Sequence, residues 1–359
     1  MHIISGNTLS NAVLRCYDTI LEKGYDGDSR NGKTKTLYNV LAEIRNPRSR
    51  HLYLAERKSN IFQMIAETFW VMAGDDRLDP YLSFFLPRAK DYSDDGRTWF
   101  SAYGPRLYMF DQLEGVLDTF HSDGRDTRRA YLSIQMPHTD APTVVADTLN
   151  GCKPKDISCN QMVQFYVEGG KTFHTKVIQR SGDIIFGTGS INPFEFSFLH
   201  ELMFNEVKKQ YPEIELGSYI WDVTNMHMYE WSGEQAVKAV EHDNNWGTSE
   251  IEGHTPLIGP DITDWQEFFG DLVRIYSMAI EDDSAVATNL MITELGFTFD
   301  RYQIPVENNI LWTYVQLVAR YIGAKKGFDM GAPLDMISSS TELKMAIHNS
   351  TFRKFEVVT

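Results

Sequence analysis

The sequence predicts an α+β fold, and three observations carry that expectation. Strand-like runs at 129–136, 159–168, 173–179, 183–187 and 217–222 are interleaved with long helical stretches, without the regular βαβ repetition of a parallel sheet. Helical apolar spacing recurs at 8–24, 59–74 and about 193–208. From about residue 232 the strand signals stop, and 264–282, 305–324 and 341–348 read as helices. We therefore expect a layered α+β domain over 1–231 and a largely helical extension over 232–359, packed on the same core.

The first helix places Leu9, Ala12, Val13, Cys16, Ile20 and Leu21 on one face and stops at Gly24. A polar, glycine-bearing loop is expected over 25–36. The second helix is nearly all apolar (Ile61, Phe62, Met64, Ile65, Phe69, Trp70, Val71, Met72) and ends at Gly74, with Glu67 as its one acid. Residues 75–105 read as irregular and aromatic. Loops holding Gly259-Pro260 and Gly331-Ala332-Pro333 join the later helices, and no repeat or low-complexity tract is present.

A chain of 359 residues with 42% hydrophobic content can bury a large core. No apolar run approaches twenty residues and the start is not signal-like, so no membrane attachment and a cytoplasmic location are expected. Cys16, Cys152 and Cys159 lack metal-type spacing and fit a reducing compartment, so no metal is expected. A net charge of -15 argues against nucleic-acid binding, which needs clustered cations. It leaves room for a small anion, because Arg125, Arg128 and Arg129 are concentrated locally.

The segment Gly27-Asp28-Ser29-Arg30-Asn31-Gly32-Lys33-Thr34 fits the phosphate-loop pattern G-x-x-x-x-G-K-[ST] letter for letter. Its context is wrong, since a helix rather than a buried strand precedes it. Arg30 on a polar loop closing over a phosphate explains the same residues. Cys159 begins an apolar run, and Gln179-Arg180-Ser181-Gly182-Asp183 follows about twenty residues later. A thiol beside an arginine and an acid suits attack on an electron-poor carbon. Glu67, among apolar neighbours, is expected at a cleft with a raised pKa. Arg128 and Arg129 are adjacent on a strand-like run, so one should point inward, and His227 and Tyr229 share a face.

Taken together these segments resemble the thymidylate synthase family, which includes the pyrimidine nucleotide hydroxymethylases. The resemblance runs in order from about 28 to 231, through Arg30, Glu67-Thr68-Phe69-Trp70, Ala102-Tyr103-Gly104, Asp126-Thr127-Arg128-Arg129, Cys159, Gln179 to Asp183, Asn192, and Gly217 to Tyr229. It implies a mixed sheet with flanking helices and a homodimer in which Arg128 and Arg129 serve the neighbour's site. It implies Cys159 as nucleophile at carbon 6 of a pyrimidine nucleotide monophosphate, with Glu67, Arg180, Asp183 and Tyr103 as its catalytic companions. Arg30, Arg128, Arg129, Arg180 and Ser181 would clamp the phosphate, Asn192 would read the base, and His227 and Tyr229 the sugar. The implied one-carbon donor is 5,10-methylenetetrahydrofolate, with Asp183 near its pterin.

Four departures fall on the cofactor side. Asn160 follows the nucleophile where the synthases carry His, and Ile157-Ser158 replaces a proline pair. The segment 86–100 offers Lys90, Tyr92 and a displaced Trp99 in place of paired tryptophans. One extra residue separates Gly187 from Asn192, and no C-terminal folate lid is recognisable. Losing the shield and lid lets water add to the carbon transferred, so hydroxymethylation of dUMP or dCMP is expected. Reductive methylation of dUMP to dTMP is the alternative, and a catalytically inactive nucleotide-binding homologue is the alternative of another class.

Overall fold

The computed structural model describes residues 1–142, 144–145, 154–246, 255–328 and 340–350. Cys152, the Gly331-Ala332-Pro333 loop and residues 351–359 lie outside the described residues.

Eight strands form one mixed sheet. They are β1 (His2–Gly6), β2 (Tyr25–Ser29), β3 (Gly32–Ile44), β4 (Tyr131–Ser133), β5 (Asn160–Glu168), β6 (Thr172–Gln179), β7 (Gly182–Asp183) and β8 (Glu215–Tyr229). The order is β1-β3-β8-β6-β5-β4, with β2 on β3 and β7 on β8. The β1–β3, β6–β8 and β7–β8 pairs are parallel and the others antiparallel. Parallel pairing requires long crossovers, and the helices α1 (Leu9–Lys23) and Asn192–Gln210 supply them.

Helix α2 (Ile61–Met72) is buried along nearly its whole length because helices surround it. It packs against Asn192–Gln210 and against Trp265–Glu281 and Ile310–Lys325 of the C-terminal part. The C-terminal helices thus share one continuous hydrophobic cluster with the sheet. Trp265–Glu281 buries Trp265, Phe268, Phe269, Leu272, Val273, Tyr276 and Ala279, the stripe its sequence spacing predicts. Among the described residues, no helix is long and apolar enough to cross a membrane.

The region 25–36 is a β-hairpin and not a loop, with Gly27 opposite Thr34, Asp28 opposite Lys33 and Ser29 opposite Gly32. All five residues of β2 are exposed, so no alternation of polarity marks the strand. The same pairing excludes a phosphate loop. That motif needs unpaired N–H groups leading into a helix, whereas these residues sit in a ladder and lead into β3. The strand expected at 183–187 ends at Asp183, and 217–222 is the middle of the longer β8. The helices Glu230–Trp246 and Ala285–Arg301 were not predicted.

Glu201 fastens these layers together. Fully buried on Asn192–Gln210, it accepts from Arg48 Nε at 2.6 Å, from Arg50 Nη2 and from the Leu257 N–H at 3.0 Å. Removing one partner of a buried ion pair strands the others without water. Glu201→Ala should therefore cost about 3–5 kcal/mol, read as a lower urea midpoint.

Candidate active site

The pairing of β5 with β6 builds the centre of the site. Asn160 lies opposite Gln179, so Cys159 and Arg180 extend the ladder together, and the Arg180 N–H donates to the Cys159 carbonyl at 3.0 Å. The Arg180 guanidinium donates to the carbonyls of Ser158 (3.0 Å) and Ile157 (2.7 Å), and Nη2 stands 3.8 Å from Cys159 Sγ. The sequence suggests that Arg180 depresses the thiol pKa. Arg180 does pull it down, helped by Arg30, but burial outweighs both, and Asp156 and Asp183 add to the rise. The net shift is upward, so the resting group is a thiol.

Cys159 opens into a cavity of about 990 Å³. Ten of the twelve predicted site residues line it: Arg30, Glu67, Tyr103, Cys159, Arg180, Ser181, Asp183, Asn192, His227 and Tyr229. Helical spacing explains how α2 contributes. Asn60, Gln63, Met64, Glu67, Trp70 and Val71 form one stripe on the cavity wall. Asn60 caps the helix, accepting from the Gln63 N–H at 3.3 Å, and Gln63 Nε2 donates to Glu67 Oε2 at 3.3 Å. Burial raises the Glu67 pKa to about 7, against a smaller lowering by Gln63. This matches the raised pKa expected from its apolar neighbours.

The end of β8 presents Asn225, His227 and Tyr229 on one face, as a period of two requires. His227 Nδ1 is 3.1 Å from Asn225 Oδ1, and Asn31 Nδ2 donates to the Tyr229 hydroxyl at 3.3 Å. Asp183 on β7 lies in register with His227. Burial pushes Asp183 up and His227 down, and their attraction opposes both shifts. Arg30, at the hairpin tip, donates to the Lys155 carbonyl at 2.6 Å.

The extra residue before Asn192 has a specific outcome. Residues Gly187–Ile191 form one π-helical turn, in which the Ile191 N–H reaches the Phe186 carbonyl at 3.4 Å. A π turn absorbs one inserted residue without disturbing the helix beyond it. Gly189 makes the turn possible, because a Cβ there would lie 1.8 Å from the Ile184 carbonyl oxygen. Asn192 then enters the cavity at the helix start, where its Nδ2 donates to the Tyr103 hydroxyl at 3.2 Å.

Several expectations need correction. Neither Arg128 nor Arg129 points inward: both are exposed and outside the cavity, and Arg129 is paired with Asp123 through Nε at 2.7 Å. They precede β4, which begins only at Tyr131, so strand alternation does not apply to them. Asn160 is not on the cavity wall. It is fully buried behind Cys159, with Oδ1 accepting from Gln179 Nε2. Trp99 lines the cavity, stacks on Tyr92 at 5.9 Å and 8°, and donates Nε1 to Asp156 at 2.9 Å.

Sequence reasoning missed Arg57, Asp156, Glu195 and Trp231, all on the cavity wall. Arg57 is buried, donates to the Ile185 carbonyl and lies 5.3 Å over the Phe186 ring. Trp231 stacks on Tyr229 and on Phe186, both at 5.6 Å. Glu195 interrupts a phenylalanine-rich run as Glu67 interrupts its own, and that signal was available.

Comparison with known proteins agrees with this geometry. The thymidylate synthase family model matches residues 12–255. The chain belongs to the thymidylate synthase family. It is 40% identical over 367 residues to the deoxyuridylate hydroxymethyltransferase of Delftia phage PhiW-14, covering 99% of this chain and 98% of that one. The enzyme of the same name from Pseudomonas phage M6 is 30% identical over 64% of this chain and 62% of its own. That of Bacillus phage SP01 is 28% identical over 64% and 59%. Family membership makes this chain a one-carbon transferase and implies a pyrimidine nucleotide and a folate as its substrates. A cavity at the upper end of the usual ligand-site range suits such a pair.

Proposed function

We propose that this protein transfers a one-carbon unit from 5,10-methylenetetrahydrofolate to carbon 5 of dUMP and releases the 5-hydroxymethyl nucleotide. One observation carries the choice of product: the 40% identity to a deoxyuridylate hydroxymethyltransferase continues through the helical part beyond residue 255, where the family model stops. We read 232–359 as an extension carried on a catalytic domain over 1–231, its stretch beyond residue 255 belonging to the hydroxymethylase form of the fold.

In this reading the Cys159 thiol loses its proton as the nucleotide binds, and the thiolate adds to carbon 6. Arg180, 3.8 Å from the sulfur, favours the thiolate and holds the phosphate together with Arg30 and Ser181. Asn192 reads the uracil edge with its amide, and Tyr103 fixes that amide's orientation through their hydrogen bond. His227 and Tyr229 hold the sugar, and Asp183 meets the pterin. Glu67, with its pKa near 7, relays protons as charge develops on the ring carbonyl. Condensation of carbon 5 with the folate's one-carbon unit, loss of the carbon 5 proton and departure of tetrahydrofolate leave an exocyclic methylene. Addition of water and expulsion of Cys159 then give the product.

Trp99 on the cavity wall is the one observation favouring reductive methylation, since a flat aromatic can retain the spent folate for hydride transfer. Following the folate decides between them. The hydroxymethylase reading predicts tetrahydrofolate as the only folate product in steady turnover, and accumulation of dihydrofolate would overturn it.

Arg128 and Arg129 are assigned to the phosphate of a second copy's site, which makes the active form a homodimer. An exposed arginine pair outside its own cavity is what such a donation requires. Mixing the inactive Cys159→Ser protein with an inactive Arg128→Ala, Arg129→Ala double variant should recover roughly a quarter of wild-type activity. Random pairing restores one intact site in half of the dimers. No recovery after subunit exchange would contradict the shared site.

A further inference from the structure

Two glutamates on Asn192–Gln210 are buried to nearly the same degree and treated in opposite ways. Glu201 is fully buried and held by Arg48, Arg50 and a backbone N–H. Glu195, less than two turns earlier, is 2% exposed, lies between the buried Phe194 and Phe196, and faces the cavity that Glu67 faces. Its Oε2 has no hydrogen-bond partner among the described residues. A structural carboxyl at this depth would be satisfied as Glu201 is, because an unpartnered buried oxygen weakens the fold. Its retention on a cavity wall points to a bound reactant.

We propose that Glu195 is a water-positioning residue that selects the hydroxymethyl product, its carboxyl holding, together with Glu67, the water that adds to the exocyclic methylene. This rests on the hydroxymethyl reading given above. Burial and the Glu67 charge both keep Glu195 in its protonated form, while Glu67 titrates near neutrality. The two carboxyls therefore divide the work. Glu195 accepts a hydrogen bond from the water through its carboxyl, where the residue lines the cavity, without competing for its proton. Glu67 takes that proton as the water oxygen bonds to the methylene carbon and the methylene π pair moves into the ring as an enolate. Collapse of the enolate re-forms the double bond between carbons 5 and 6 and expels the Cys159 thiolate. No oxidant or reductant is consumed.

The step lies after the loss of the carbon 5 hydrogen, so the test compares two readouts in one reaction. With dUMP tritiated at carbon 5 and methylenetetrahydrofolate, wild-type protein should release tritium and form hydroxymethyl nucleotide in equal amounts. In a single turnover with enzyme in excess over dUMP, the rate of tritium release by Glu195→Gln and Glu195→Leu should stay within about threefold of wild type, while the rate of hydroxymethyl nucleotide formation falls about a hundredfold, the scale of a lost proton-handling partner. Glu195→Asp should restore part of the product. Equal loss of both readouts, loss of tritium release in both variants, or unchanged product formation would each overturn the proposal. Its failure is distinct from that of the parent reading: a wild-type protein that makes a methyl nucleotide refutes the hydroxymethylase assignment, whatever the variants do.

Discussion

Cys159→Ser should abolish nucleotide product, with a fall of at least about 10⁴-fold, and leave dUMP binding within a few-fold of wild type. A serine hydroxyl is a far weaker nucleophile than a thiol, and among the described residues no other cysteine lines the cavity. Of the other cysteines, Cys16 is buried in the core with its pKa pushed up to about 12, and it does not line the cavity. A 10⁴-fold loss corresponds to about 5 kcal/mol of transition-state stabilisation, which binding contacts alone do not replace. Under the proposed function Arg30, Arg180, Ser181 and Asn192, which line the cavity from other elements, hold the nucleotide, so binding should survive. Isothermal titration with dUMP and product assay on the same preparation provide the check. Retained turnover would remove Cys159 from the chemistry, and lost binding together with lost turnover would make the change structural.

Glu67→Gln should slow turnover by about 10²–10⁴-fold and at the same time stabilise the protein above neutral pH. The sign follows from proton binding. Glu67 titrates at about 7 in the folded chain against an ordinary 4.5, so between those values the folded state holds more protons than the unfolded one. Stability therefore falls as pH rises through that window, and the full deficit is present above about pH 7. At about 1.4 kcal/mol per pH unit the ceiling is on the order of 3 kcal/mol, and partial solvent contact in the cavity reduces it to about 1–2 kcal/mol. Glutamine imitates the neutral acid, so the variant should match wild type near pH 4 and exceed it near pH 8. Urea unfolding at the two pH values measures the difference. Equal stability at pH 8 would mean that Glu67 is not held against its charge.

Residues whose environment is local were readable from the chain. Glu67 was marked by the apolar run around it, and Cys159 with Arg180 by two strand-like runs that pair end to end. The long amphipathic helices at 8–24 and 264–282 carried their own period. Residues whose environment is set by distant elements were not. The exposed β2 has no buried face to impose alternation, so the hairpin carrying Arg30 read as a loop. Glu230–Trp246 is largely polar, and Ala285–Arg301 leaves Val286, Leu290 and Phe297 exposed, so neither shows a single apolar stripe. The Cys159 pKa depends on how deeply the pocket is enclosed, which the neighbouring Arg180 alone does not reveal. The inserted residue before Asn192 was visible as a count, but its resolution into a π turn depended on Gly189 passing against Ile184.

Turnover of dUMP and methylenetetrahydrofolate in water enriched in heavy oxygen, with mass analysis of the nucleotide, tests the central claim most directly. The account predicts a 5-hydroxymethyl nucleotide carrying one heavy oxygen, formed in step with tetrahydrofolate. A 5-methyl nucleotide without the label, accompanied by dihydrofolate, would contradict it.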